Sequence, residues 1–561
     1  MKTTFTYDHY WKYDELKKNI GILKQKYPFL MEVNINMTTP EGRNQYVLIL
    51  TSQKTGEPLS KPGFYLDGNI HAGEVTASMT AMHTVDYLLT NYESDTLCRR
   101  ILDQKTVYVI PRVSPDGAEM YLTTPYSPRS SDRLYGGEKG GIHPQDLDGD
   151  GVIRIMRIPS PYGAWKKDPL NEEKMIPRDP SDDAGTFYDL YPEGVLHESD
   201  GDENLKLEKT EHGLDFNRNF PYGWSPEGKQ AGAGKYPLSE PENKAIVDFV
   251  LAHPNICMAA LGHTQGGLIL YEPGSRPSEK ADPQDLKVIQ ALADIGREEL
   301  GYIPLNTFDS YIADEENWDS GALDDWFYET QGIPAYTVEF WNVSKPAGIQ
   351  DLYGTEAGKE SLSVQAERYH AIYDWALKNA PQYCMKWTRY DHPQFGSVEI
   401  GGFNAKFVYQ NPPENFLKKT CEDDTRFNLR LIRTLPQLII DTLKAEPVRK
   451  DLWKVTCIVG NPSYLPTNLT RQAEAMKTAG PVSVTIRGGR LLSGKETEEI
   501  GHLDGFAATR TGTDTGTLTT IQNSHARKKV SWLIQGNPGD TITVTAVHEK
   551  AGKVHRSVVL K

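Results

Sequence analysis

Four short runs, "GFYLDG" (63–68), "TVYVI" (106–110), "NICMAALGHT" (255–264) and "AYTVEFW" (335–341), are apolar on successive residues and not on alternate ones. A strand of that kind has to be covered on both faces, which is the condition of a sheet packed between helices. Helical text alternates with these runs: "EVTASMTAMHTVDYLLTNY" separates the first two, and "YDELKKNIGILKQKY" (13–27) puts Leu16, Ile20, Leu23 and Tyr27 on one face. The alternation predicts an α/β layer with a mixed, partly parallel sheet flanked by helices. Polar residues enter these runs only toward their C-terminal ends, the edge of an open α/β sheet along which ligand crevices lie.

The rest of the chain is organised around that layer. At 561 residues, with 38% hydrophobic content, it can bury a large core and suggests two or three domains. Residues 1–445 are expected to form the α/β domain. Pro, Gly and Asp-rich text at about 118–212 reads as a long insertion into it, of the length that usually makes a wall or lid. From 446 to 561 the pattern changes to period two, with Trp453, Val455, Cys457 and Val459, then Val482, Val484 and Ile486, then Val530, Trp532 and Ile534, then Ile542, Val544 and Ala546. That alternation predicts a small antiparallel β-sandwich.

Net charge of −15 without a long basic run argues against nucleic acid as a partner. Five cysteines without a C-x-x-C spacing suggest neither a disulfide framework nor a cysteine zinc site. No stretch is long and apolar enough to span a bilayer and no apolar leader opens the chain, so a soluble protein is expected.

The chemistry gathers at the strand ends. In "DGNIHAGE", His71 and Glu74 stand three residues apart just after a buried run. By spacing alone the pair is weak, and Glu74 could simply complement a helix N-terminus. A catalytic zinc usually takes three protein ligands and leaves one position open, and His263, after "MAALG" and before a Gly-Gly turn, is a candidate third. Alone, His263 could equally be a satisfied core histidine.

Taken together, "HAGE", "PRVSPDG" (111–117), "GLDFNRNFP" (213–221), "GHTQGGLILYEPG" (262–274) and "TVEFW" (337–341) resemble, in this order, the zinc metallocarboxypeptidases of the carboxypeptidase A/B-like family. The resemblance covers about the first three-quarters of the chain. It implies one Zn²⁺ held by His71, Glu74 and His263, and a peptide substrate that loses its C-terminal residue. Glu339 matches the general base and acid, and Trp326 precedes it at a spacing similar to the family's. Asn217 and Arg218 match the pair that grips the terminal carboxylate, a task suited to a bidentate guanidinium and an amide donor. Asp215 matches the carboxylate behind the first histidine, where it would fix the tautomer of His71. The electrophilic arginine aligns best with Arg157 of "RIMR" (Arg154 to Arg157), with Arg129 and Arg133 as competitors. Asp324 falls where basic-specific members carry an aspartate at the base of the side-chain pocket, which would favour a terminal Lys or Arg; a displaced, solvated Asp324 is the alternative.

The chain also departs from the pattern. Ser114 replaces an asparagine, Gly73 stands where many members have arginine, and the substrate-capping tyrosine is missing near Asn317, with Trp318 or Tyr311 as substitutes. Two rival functions are an amidase or peptidase acting on bacterial wall peptides and a catalytically silent peptide-binding member. By the resemblance the protein would be secreted or periplasmic, and cytoplasmic otherwise. Finally, "DLDGDGVIRIMR" opens like a calcium loop, with Asp146, Asp148, Asp150 and Gly151, but carries Arg157 where an EF-hand places its last carboxylate. A Ca²⁺ site with other ligands and a simple Asp/Gly turn are both open from the sequence.

Overall fold

The computed structural model describes residues 1–137, 140–197, 205–312, 318–353, 359–508, 510–512, 519–521 and 525–561. The central sheet has eight strands, numbered here in chain order: β1 (Met31–Thr38), β2 (Asn44–Leu50), β3 (Gly63–Gly68), β4 (Thr106–Ile110), β5 (Ile256–Thr264), β6 (Leu268–Tyr271), β7 (Ile303–Asn306) and β8 (Ala335–Phe340). Their order across the sheet is β1-β2-β4-β3-β5-β8-β6-β7. The middle four, β4, β3, β5 and β8, run parallel, while β1, β2 and β6 meet their inner neighbours antiparallel. Every residue of β3, β4, β5 and β8 is buried, as their uninterrupted apolar text requires.

Helices cover this sheet. Val75–Asn91 lies on β3 and β5 and packs against Glu414–Thr434, which in turn packs against Pro283–Leu300. Two glycines let the first of these helices approach closely. A Cβ on Gly68 would come 2.5 Å from the carbonyl oxygen of Ala77, and one on Gly262 would come 2.8 Å from the Ala77 methyl.

The insertion is not a bare loop. Its strands Ile155–Pro159, Trp165–Asp168, Asn171–Pro177 and Tyr188–Pro192 join the later hairpin Cys384–His392 and Gly396–Phe403 in a six-stranded sheet. A separate ribbon pairs Gly141–Pro144 with Gly194–His197.

The C-terminal part forms two four-stranded antiparallel sheets. Its first strand, Ile439–Arg449, pairs with Leu452–Gly460 along its length, so the boundary expected at 445/446 falls inside a strand. The alternating residues predicted from the sequence, from Trp453 to Ala546, are buried between the sheets. The sandwich docks on the α/β domain through the buried Lys550, whose Nζ donates to the Ile256 carbonyl at 2.9 Å, while Lys105 Nζ holds the connection that leads into it, at the carbonyls of Leu435 and Pro436, each at 3.0 Å.

Because helix Val75–Asn91 begins at Glu74, its seating on Gly68 positions the candidate site. Gly68→Ala is expected to destabilise the fold by about 1–3 kcal/mol, the usual effect of overpacking. The checks are a lowered unfolding midpoint together with weaker zinc retention; an unchanged midpoint would contradict the close packing described.

Candidate active site

Three parallel strands end side by side at the crevice. His71 lies in the turn after β3, His263 one residue before the end of β5, and Glu339 next to the end of β8, directly opposite His263 in the ladder. Glu74 occupies the N-cap position of helix Val75–Asn91, yet its carboxylate makes no capping bond. It turns instead toward both histidines: Oε1 is 2.9 Å from His71 Nδ1 and Oε2 is 3.0 Å from His263 Nδ1. The second contact lacks hydrogen-bond alignment, so Oε2 is a buried oxygen without a hydrogen-bond partner. A cation between the two imidazoles and this carboxylate would satisfy it. One ligand atom from each residue lies within 4.8 Å of the others, and a neutral imidazole pair with one carboxylate is the donor set that zinc takes in catalytic sites. The residues therefore fit the ion.

The outer face of His71 is held as well. Its Nε2 is 3.1 Å from Asp215 Oδ1, which leaves Nδ1 for the ligand position. Asp215 Oδ2 accepts from Arg129 Nε at 2.8 Å, and Oδ1 also accepts from the backbone N–H of Asn217. Although burial opposes the charge of Asp215, Arg129 and His71 outweigh it and hold this carboxyl well below its ordinary range. Burial likewise opposes charge on Glu74 and His263. The neighbouring histidines nevertheless lower Glu74, and Glu74 raises His263 to about 9. Burial pushes Glu339 up to about 8, with His263 pulling against it and Glu74 adding to it.

A cavity of about 260 Å³ opens over these residues. Arg129, Asn217, Arg218, Tyr311, Asp324 and Glu339 all line it together with the three ligand candidates. Asn217 is anchored where its Oδ1 accepts from the N–H of Leu323 at 2.9 Å. Arg218 pairs with Asp319 at 2.9 Å. Asp324 sits deeper and accepts from Thr337 Oγ1 at 3.0 Å. Beside it are Asp325 and Glu272, both buried and both raised above the ordinary carboxyl range by burial and by the nearby Asp324 charge. Neither oxygen of Glu272 has a hydrogen-bond partner.

Arg157 is a correction. It lies in the six-stranded sheet of the insertion, where Nε donates to Glu399 at 2.8 Å, Nη1 donates to the Glu172 carbonyl, and the guanidinium stacks 4.3 Å from the Trp387 ring. It is 2% exposed and does not line the cavity. Arg133 is also occupied elsewhere, by Glu240 and Glu242. Of the three arginines considered for the electrophilic position, Arg129 is the one that lines the cavity, beside Arg218, with Nε spent on Asp215 and 43% of its side chain exposed.

The calcium reading is not supported either. Asp150 pairs with Arg154, while both oxygens of Asp146 accept backbone N–H groups of its own turn, from Gly149 and Gly151. The carboxylates that do gather are Asp146, Asp148 and Glu193, and Glu193 is spent on the N–H groups of Leu147 and Arg154. This is an Asp/Gly turn tied to a buried glutamate.

Asn317 lies outside the described residues. Trp318 packs its ring against Gly223, whereas Tyr311 faces the cavity, and Glu339 and burial hold its hydroxyl above the usual range. Sequence reasoning passed over Gln410, which lines the same cavity and donates to Thr264 Oγ1 at 2.8 Å. No local signal marks it, since it comes from a loop far along the chain. Among the described residues no helix is long and apolar enough to cross a membrane.

Comparison with known proteins adds an independent line. The family model described as zinc carboxypeptidase matches residues 17–350, and a model for a domain of unknown function matches 437–559. Carboxypeptidase O of Bos taurus is 25% identical over 347 residues, covering 60% of this chain and 71% of its own. Carboxypeptidase A4 of Mus musculus is 24% identical over 348 residues, and the match spans 60% of this chain and 63% of the relative. Among solved structures, thrombin activatable fibrinolysis inhibitor aligns with a TM-score of 0.42 at 17% identity, covering 76% of this chain and 74% of its own.

Asp215 touches no ligand position directly, so its effect should pass through His71. Asp215→Asn is expected to weaken zinc binding by about 10–100-fold, the usual result of removing such a partner. Competition against a chelator measures this, and affinity equal to the unmodified protein would mean that the His71–Asp215 contact does not tune the ligand.

Proposed function

We propose that this chain, which belongs to the zinc carboxypeptidase family, hydrolyses the last peptide bond of peptides and takes those that end in Lys or Arg in preference to others. The observation that carries the reading is the convergence of His71, Glu74 and His263 on one point, with Glu339 on the adjacent strand facing the same cavity. His71, Glu74 and His263 would hold a zinc ion, which when bound would supply Lewis acidity at the scissile bond.

The remaining work belongs to side chains. Glu339 accepts a proton from the attacking water and delivers it to the departing amine. A carboxyl raised by burial suits both halves of that task. Arg129 offers its outer N–H groups where the carbonyl oxygen gains charge, and its bond to Asp215 fixes its direction. Asn217 and Arg218 take the terminal carboxylate, which limits cleavage to the chain end. Tyr311 covers the bound residue from the cavity wall.

The preference for a basic residue rests on the acidic floor. Asp324, Asp325 and Glu272 crowd together in a buried place, and Glu272 has no hydrogen-bond donor. An ammonium or guanidinium group entering the cavity would pair with Asp324 and favour the ionised form of Asp325 beside it, whereas an apolar side chain would do neither. A diaminopimelate-like amine of a bacterial wall peptide has the same chemistry, so such a peptide belongs in the substrate panel. The C-terminal sandwich acts as a packed support for the catalytic domain, consistent with its buried lysine contacts.

Peptides differing only in a terminal Lys, Arg, Phe, Leu or Glu, and one wall-type peptide, would be followed by mass spectrometry. Release of the last residue is expected to fall by about 10²–10⁴-fold in Glu339→Gln. Asp324→Asn should lower kcat/KM for Lys and Arg ends by about ten-fold or more while sparing Leu ends. Equal trimming of Lys and Leu ends by the unmodified protein would remove the proposed preference; no trimming of any peptide with zinc bound would remove the activity.

The two arginines give a second test. Arg129→Ala is expected to reduce kcat by about 10²–10³-fold. Arg157→Met should leave kcat near that of the unmodified enzyme and lower the unfolding midpoint, and the reverse pattern would restore Arg157 to the reaction.

A further inference from the structure

A second group in the insertion repeats the donor arrangement of the active site without sharing a residue with it. His143 lies on the strand Gly141–Pro144 and His197 on its antiparallel partner Gly194–His197. The register pairs Val195 with His143 and Gly141 with His197, which puts both imidazoles on the same face of the ribbon, diagonal to each other. Gly141, opposite His197, lets a further segment pass close by, since a Cβ there would come 2.4 Å from the Lys206 carbonyl oxygen. A third segment runs alongside: Ile142 bridges Leu207, and the Glu208 N–H donates to the Ile142 carbonyl at 2.9 Å. Glu208 is thereby brought across from both rings.

The distances are close to those of the first site, although the two rings here are stacked, 19° between planes, where His71 and His263 meet at 63°. His143 Nδ1 is 3.1 Å from Glu208 Oε1 and His197 Nδ1 is 2.6 Å from Oε2. The ring centroids are 4.9 Å apart, the same separation as between His71 and His263. In each group two Nδ1 atoms address the two oxygens of one glutamate, and one ligand atom from each residue lies within 4.8 Å of the others. Only 10% of the Glu208 side chain is exposed, against 31% and 43% for the histidines, so the carboxylate forms the floor and the rings the open rim.

We propose that His143, His197 and Glu208 form a second metal site, taking a divalent transition ion of the zinc type. Two imidazoles and one carboxylate suit such an ion, whereas calcium and magnesium prefer shells made of oxygen alone. The ligands come from three segments of the insertion that are already joined by backbone hydrogen bonds between Ile142 and Lys206 and Glu208, and the ion would reinforce that junction of the ribbon with the segment 205–208. That segment leads directly into Gly213 and the loop that carries Asp215, Asn217 and Arg218. A structural role follows from its distance in the chain from Glu339 and from the absence of these three residues from the lining of the cavity.

Zinc content after gel filtration in the presence of a weak chelator would test this. The unmodified protein is expected to retain two zinc ions per chain, Glu208→Gln one, and His71→Ala one. The two variants lose different ions, so failure of either site is seen separately. Cobalt titration of the unmodified protein gives a reading that needs no variant: two successive steps in the visible absorption are expected. One ion per chain with a single cobalt step, or two ions retained in Glu208→Gln, would overturn the proposal and leave a hydrogen-bonded His-Glu-His cluster.

Discussion

The buried carboxylate of Glu74, shared between His71 and His263, is the interaction around which the molecule is arranged. Taking one carboxylate and two imidazoles out of water is unfavourable unless each is paired. The chain answers with a relay: Glu74 to His71, His71 to Asp215, Asp215 to Arg129. The first link is local, within the turn after β3, whereas the others bring in the loops that carry Asp215 and Arg129, and His263 reaches Glu74 only when β5 lies beside β3. The close approach of helix Val75–Asn91 over Gly68 and Gly262 serves the same end, because that helix begins at Glu74.

Charge is distributed unevenly around this centre. The wall carries Arg129 and Arg218, the opposite side carries Asp324 and Asp325, and Glu272 lies buried behind these two. A substrate with a terminal carboxylate and a basic side chain would meet the opposite sign at both ends. Outside the cavity the insertion builds its own sheet, completed by a hairpin from residues 384–403, and this framework holds Arg157 against Glu399 and Trp387. Arg129 and Arg218 thus serve the cleft, while Arg157 holds the insertion sheet together.

Much of this was legible in the sequence. Uninterrupted apolar runs marked the buried parallel strands, and period-two alternation marked the sandwich, because burial on two faces and on one face leave different patterns. The runs marked where His71, Glu74, His263 and Glu339 stand, while the roles proposed for them came from the resemblance to the family and not from the spacing. The arginine was not. "RIMR" offered the expected spacing, but a guanidinium reaches wherever its backbone has been carried, and Arg157 is carried into a strand that pairs with Glu399, 242 residues away. The calcium loop failed for a related reason, since Asp150 found Arg154 and Asp146 satisfied its own turn. Gln410 and the acidic neighbours of Asp324 had no local signature at all.

By itself, then, the sequence determined which segments are buried strands, which residue types stand at their ends, and that a histidine-carboxylate chemistry is available there. These are properties of short windows, governed by periodicity and by the cost of burying polar groups. Only the tertiary structure decided which of the three candidate arginines faces the cavity, which carboxylate lines it beside Asp324, and that His143 and His197 of the ribbon meet Glu208 of a third segment. Those outcomes depend on contacts between residues far apart in the chain, whose distances are set by sheet order and loop path and by nothing within the windows themselves.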